Sequence, residues 1–261
     1  MVSYFASTRV DEVVLRVKDQ GGVGRFYQDI MGLREIGRTP GLIRFSATGE
    51  EPALLVLQGD SAAKPRRHTS PGLFHIAFLF PGRKELARTV RHIAERQWRF
   101  HGFADHGVSE AIYLSDPEGN GLELYRDRPS EQWPRNGKRI GMVTAQLDVR
   151  GLVDEVSGQQ RYDSVHPETM IGHIHLQVSQ LDRSALFYHG VLGLDVTQED
   201  YPGALFLSAD GYHHHIGLNI WNSSGSAPAP EYSAGLLSFR LRFPRGRIAD
   251  ILSKARSLKP G

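Results

Sequence analysis

The sequence contains no cysteine. That excludes disulfides, thiolate nucleophiles and sulfur-bound metals, so any metal held here must sit on nitrogen and oxygen. Long apolar runs are also missing. No stretch approaches the length needed to cross a bilayer, and Met1-Val2-Ser3-Tyr4 lacks the layout of a secretory signal. Nor is there an excess of charge of either sign. The 31 Lys and Arg nearly balance 29 Asp and Glu, and the basic residues form no runs. Nucleic acid and lipid surfaces are therefore not expected as partners, and the expected compartment is the cytoplasm. At 261 residues the chain can bury a full core as one large or two modest domains.

Histidine is abundant, with 12 in all and three in a row at His213-His214-His215. The chain also repeats itself. Val13-Val14-Leu15-Arg16-Val17, Phe26-Tyr27 and Gly32-Leu33 match Ile174-His175-Leu176-Gln177-Val178, Phe187-Tyr188 and Gly193-Leu194 at a constant offset of 161. Gly72-Leu73-Phe74-His75 and Phe80-Pro81 match Gly235-Leu236-Leu237-Ser238 and Phe243-Pro244 at an offset of 163. Four similar units follow, opening near residues 10, 72, 171 and 235. Each begins with an alternating strand and a helix, and complete ones continue into further short strands. The fold class expected is α+β, built from tandem βαβββ modules. The fourth module is incomplete, and truncation is the favoured explanation because a strand and helix alone leave an open sheet edge. The expected division is an N-terminal pair of modules over 1–127, a packed connector over 128–170 and a C-terminal pair over 171–261. The two Phe-Tyr pairs are expected in the core, without a chemical role.

The second unit carries the first sign of chemistry. Its opening strand, Phe74 to Phe80, and its closing strand, Leu122-Glu123-Leu124-Tyr125, alternate so that His75 and Glu123 each point off the packed face. A histidine and a carboxylate on neighbouring strands make two-thirds of a facial metal site. The third ligand is sought in the other units. In the third unit's opening strand His173, His175 and Gln177 share one face, while Ile174, Leu176 and Val178 share the other. Units two and three together offer His75, Glu123 and His173, a complete two-histidine, one-carboxylate set. Units one and four offer only Glu12 and Ser238 at equivalent positions. Alone, His75 would fit a buried core histidine and Glu123 a solvated edge residue. Ligand positions filled in one copy and vacant in the other favour chemistry.

The paired units, with Phe-Tyr and Gly-Leu after the first strand, resemble the vicinal oxygen chelate superfamily of glyoxalase I, bleomycin-resistance proteins and type I extradiol dioxygenases. His106-Gly107-Val108-Ser109, Tyr113-Leu114, Asp116-Pro117-Glu118-Gly119, Leu122-Glu123-Leu124-Tyr125 and His213-His214-His215-Ile216-Gly217-Leu218 resemble the ring-cleaving branch, in particular catechol 2,3-dioxygenases. The likeness covers nearly the whole chain, about residues 8 to 258. It implies curved mixed sheets of the glyoxalase/dioxygenase type and the metal ligands His75, His173 and Glu123. The usual dioxygenase draws its ligands from units three and four. Here units three and two supply them, so the pairing of modules is permuted.

The resemblance further implies Fe(II), with Mn(II) as the alternative ion, and a small aromatic diol and O2 as partners; a homo-oligomer is compatible with it. His214 would be the acid–base residue. Strand alternation sets His214 on the face of Ile216 and Leu218, and His213 and His215 on that of Gly217 and Asn219. A bulge at His214 or a transfer of the role to His215 are therefore both open. Tyr113 would hydrogen-bond a substrate oxygen, and His106 would sit near the substrate's polar end. Two alternatives stand beside ring cleavage. One is another metal-dependent lyase or isomerase of the superfamily, which would add a second carboxylate ligand. The other is a non-catalytic binder of the bleomycin-resistance type, which needs no ligands at all.

Overall fold

The computed structural model describes residues 7–156 and 161–257. The first unit is β1 (Arg9–Val17), α1 (Gln20–Arg25) running on as a π-helical turn over Phe26–Ile30, β2 (Arg34–Thr39), β3 (Leu42–Ser46) and β4 (Leu55–Gly59). The second is β5 (Gly72–Leu79), α2 (Arg83–Glu95), β6 (Phe100–Asp105), β7 (Ser109–Ser115) and β8 (Gly121–Asp127). Short strands β9 (Arg135–Asn136), β10 (Arg139–Ile140) and β11 (Ala145–Gln146) and helix α3 (Val149–Val153) follow. The third unit is β12 (Met170–Gln177), α4 (Leu181–Ala185) with a π-helical turn over Leu186–Val191, β13 (Asp195–Gln198), β14 (Ala204–Ser208) and β15 (Ile216–Asn219). The last unit is β16 (Gly235–Arg242) and α5 (Arg245–Ser257).

One rule of assembly recurs. In each complete unit the opening strand pairs parallel with the closing one: β1 with β4, β5 with β8, β12 with β15. The opening strand then pairs antiparallel with the opening strand of another unit. β5 meets β12 and β1 meets β16. Units two and three thus share a nine-stranded sheet, ordered β11-β6-β7-β8-β5-β12-β15-β14-β13. Units one and four share a five-stranded sheet, β16-β1-β4-β3-β2, with β16 at its end.

Alternation explains which faces are buried. Val13, Leu15 and Val17 of β1, Ile76 and Phe78 of β5 and Ile174 of β12 enter one common core with Leu86, Val90 and Ile93 on one stripe of α2, which packs against β8. The Phe-Tyr pairs diverge. Phe26 and Tyr27 are buried, whereas Phe187 is 44% exposed, as is Leu186 at 69%. The expected core role of the second pair fails at Phe187, because α4 has no buried side chain and its π-helical turn buries only Val191. In the connector Trp133, Ile140, Met142, Leu147 and Leu152 are buried.

Two glycines permit close approaches near the site. A Cβ at Gly121 would lie 2.1 Å from the Phe74 carbonyl oxygen, so only glycine lets β8 enter beside β5. A Cβ at Gly172 would lie 1.7 Å from the Tyr125 hydroxyl, which shares a 2.7 Å hydrogen bond with the Tyr212 hydroxyl across the seam of units two and three.

Candidate metal centre

Three adjacent strands build the centre. Ala77 of β5 is register partner to Glu123 of β8 on one side and to His173 of β12 on the other. His75 lies two residues from Ala77 on the same strand and so on the same face. The smallest side chain of the four is therefore in the middle, and three ligand groups lean over it. His75 Nε2 is 2.9 Å and His173 Nε2 3.3 Å from Glu123 Oε2, and the two imidazole nitrogens are 3.4 Å apart. All three side chains are buried, and they form one candidate ligand group. Ligands about 2.1 Å from a common ion must be roughly 3.0 Å apart on an octahedral face and roughly 3.4 Å on a tetrahedral one, so these separations fit a bound cation.

The turn before β8 fixes Glu123. Asp116 Oδ1 accepts from the backbone N–H groups of Glu118 and Asn120, and Gly119 takes φ of +81°. That is an Asx-type turn of the Asp-Pro-Glu-Gly-Asn-Gly sequence, and it sets the register in which Glu123 faces inward.

The electrostatics suit ligation. Burial alone would raise the Glu123 carboxyl, but the imidazoles of His173 and His75 outweigh it and hold it well below the usual carboxylate range. Burial pushes His173 down to about 4 against the pull of Glu123. An ionised carboxylate and a neutral imidazole are the states a metal needs.

A cavity of about 280 Å³ opens over the ligands. Its walls are Phe74, Phe206, Trp221, Tyr201, Met142 and Val143, and its floor includes His75, Glu123 and His175. Tyr113, His106 and His214 also line it. His106 Nδ1 donates to the Val143 carbonyl at 2.6 Å, and its Nε2 lies 2.7 Å from the Tyr113 hydroxyl. Burial, with Glu123 beside it, pushes the Tyr113 phenol well above its ordinary value, so it remains a donor.

The histidine triplet is resolved by where the strand begins. β15 starts at Ile216, and the triplet follows a turn in which Asp210 and Gly211 both have positive φ, +58° and +77°. Strand alternation therefore does not govern these residues. His214 faces the cavity, its ring centroid 4.0 Å from that of His173. His215 is directed away, its Nδ1 2.8 Å from Ser208 Oγ. His213 is fully buried between Asp127 Oδ1, 2.9 Å from its Nε2, and His214 Nδ1, 2.7 Å from its Nδ1.

Several cavity residues have no signal in the linear sequence. His175 had one, since it alternates onto the face of His173; Asn219 Nδ2 donates to its Nε2 at 3.1 Å. Phe206, Trp221 and Tyr201 come from the third unit's strands and turns, and Met142 and Val143 from the connector.

A sequence profile of the glyoxalase/bleomycin resistance protein/dioxygenase superfamily matches residues 9–124 and 170–241. The chain belongs to that superfamily. Within the superfamily it is 37% identical to the catechol-2,3-dioxygenase of Bacillus subtilis (strain 168), over 97% of this chain and 89% of the relative. It is 27% identical to biphenyl-2,3-diol 1,2-dioxygenase 3 of Rhodococcus globerulus, over 46% of this chain and 63% of that one. The crystal structure of glyoxalase I from Zea mays superposes with a TM-score of 0.55 at 15% identity, covering 97% of this chain and 81% of the other. That likeness is one of superfamily fold alone. No helix among the described residues is long and apolar enough to cross a membrane.

Proposed function

We propose that this chain is an extradiol dioxygenase, cleaving a catechol-type ring beside its hydroxyls with a non-heme Fe(II) held by His75, His173 and Glu123. Mn(II) is the alternative ion. The observation that carries the reading is a facial three-ligand set beneath an aromatic-walled cavity, with a histidine and a tyrosine aimed at the same space. The relatives named for catechol and biphenyl-2,3-diol support a vicinal diol as substrate.

Among the described residues, the position from which a lyase or isomerase of the superfamily would add a fourth ligand carries no side chain. Ala77 pairs with Glu123 as His175 pairs with Gly217, so Gly217 occupies the place that mirrors Glu123. A Cβ there would lie 2.9 Å from the His175 ring. Three protein ligands would leave coordination positions open to a substrate.

When bound, the ion supplies a Lewis acid that lowers the phenolic pKa of a chelated diol and a route for electrons to dioxygen. The chain supplies the rest. Phe74, Phe206 and Trp221 hold the ring and exclude water. Burial, then the neighbouring imidazoles of His173 and His213, keep His214 well below its ordinary pKa and therefore neutral, able to take the phenolic proton and return it. Tyr113 stays protonated; its one proton, given to His106 Nε2 in the free site, turns to a substrate oxygen when the diol binds, and His106 positions the hydroxyl.

Anaerobic loading with Fe(II), followed by catechol and oxygen, tests the proposal. A yellow ring-opened product is expected. Stoichiometric iron with no product from any simple catechol would sink it.

A further inference from the structure

The half-buried Asp127 and the buried His213 and His214 form a chain that the ligand set does not require. Asp127 lies four residues beyond Glu123 on β8, hence on the same face, and its carboxylate reaches His213 Nε2 at 2.9 Å. His213 is wholly buried. Its Nδ1 lies 2.7 Å from His214 Nδ1. Two nitrogens at that distance need one proton between them, so one ring donates and the other accepts.

Donor chemistry decides which. An ionised carboxylate only accepts, so His213 Nε2 carries a proton and donates it. In a singly protonated imidazole that leaves a lone pair on Nδ1. His214 Nδ1 must then be the donor, and its remaining nitrogen, Nε2, bears the lone pair. His214 lines the cavity, so this is the nitrogen left to meet a substrate. Tyr212 also hydrogen-bonds Asp127, and the Tyr212 hydroxyl is tied in turn to Tyr125, which fixes the carboxylate at the head of the chain.

We propose that Asp127 and His213 are positioning residues that set the tautomer of His214, presenting its Nε2 to the cavity as a proton acceptor. The catalytic meaning of that tautomer rests on the dioxygenase reading; the tautomer itself does not. Replacing Asp127 by Asn leaves the amide oxygen to accept from the Tyr212 hydroxyl and turns the NH2 to His213 Nε2, which reverses both hydrogen bonds and moves the His214 proton to Nε2. Asp127→Glu keeps an acceptor and keeps the order.

The test is long-range proton–nitrogen correlation NMR on protein loaded with Zn(II), which is diamagnetic, and labelled with ¹⁵N in histidine, with His214 assigned by its loss in His214→Gln. Wild type and Asp127→Glu are expected to show His214 protonated on Nδ1, and Asp127→Asn to show it on Nε2. With Fe(II), Asp127→Asn is expected to lose about 10²-fold in kcat, the usual contribution of one general base, with KM and metal content unchanged and with Asp127→Glu restoring most of it. A wild-type His214 protonated on Nε2 overturns the inference even if Asp127→Asn does not fold, as does an unchanged tautomer in a folded Asp127→Asn. The expected tautomers in an enzyme that cleaves no catechol would leave the inference standing and count against the reaction.

Discussion

The molecule contains a candidate metal centre and a copy of it that lacks the ligand side chains. In the β5–β12 pair the register shifts between Ile171 and His173 and again between His175 and Leu176. In the β1–β16 pair it shifts between Val10 and Glu12 and between Val14 and Leu15, the same positions 161 residues earlier. The irregularities that aim the side chains are thus present in both. What differs is the side chains. Glu12 stands for His173, Ser238 for His75, and Arg240 for Ala77, and the guanidinium of Arg240 reaches Glu12 at 3.1 Å. An arginine occupies the place that the methyl group of Ala77 leaves free. The bulges belong to the scaffold, and the chemistry to four residues laid on it.

The strongest test of that contrast removes a ligand. Glu123→Ala, His75→Ala and His173→Ala are each expected to reduce retained metal to near zero after gel filtration, measured by elemental analysis. Stoichiometric metal in any of them would mean the ion is held elsewhere. Ala77→Arg is the next largest, importing the blank copy's residue into the live one. Its guanidinium should pair with Glu123 and lower metal affinity by more than about 100-fold in chelator competition, the upper range for disturbing a ligand's surroundings, while the protein stays folded.

Acid should separate the two sheets with a smaller effect. An unfolded imidazole titrates near 6.5 and folded His173 near 4, so between these values the unfolded chain binds more protons and stability falls as pH falls. From pH 7 to pH 5 the metal-free protein should lose about 2 kcal/mol from His173 alone, read as a lower urea midpoint. Buried His175, His214 and His215, all shifted downward, act in the same direction. Glu123 contributes stability at higher pH that disappears only as pH falls through its depressed value. The smallest effect belongs to the blank copy. Arg240→Ala breaks an exposed ion pair and should change stability by no more than about 0.5 kcal/mol, with metal content untouched.

The opening strands and their faces were legible in the sequence because a two-residue period and a constant offset are local signals. They bring His75, His173 and Glu123 onto one list. The triplet lies beyond the reach of that period: alternation leaves His214 and His215 both open, because the strand begins only at Ile216 after a left-handed turn. Phe187 differs from its counterpart Phe26 because only Val191 is buried on its own helical turn. The cavity walls and the Asp127–His213 contact are not readable, because they join distant residues, 86 apart for Asp127 and His213, with no periodicity to announce them.

The ligands straddle the seam between two modules, two on the β5–β8 side and one on β12. A bound cation is therefore a rivet as well as a reagent. Its binding energy is added to the grip of one module on the other, and removing it should loosen amide protection along β5 and β12 before either module loses its own strands.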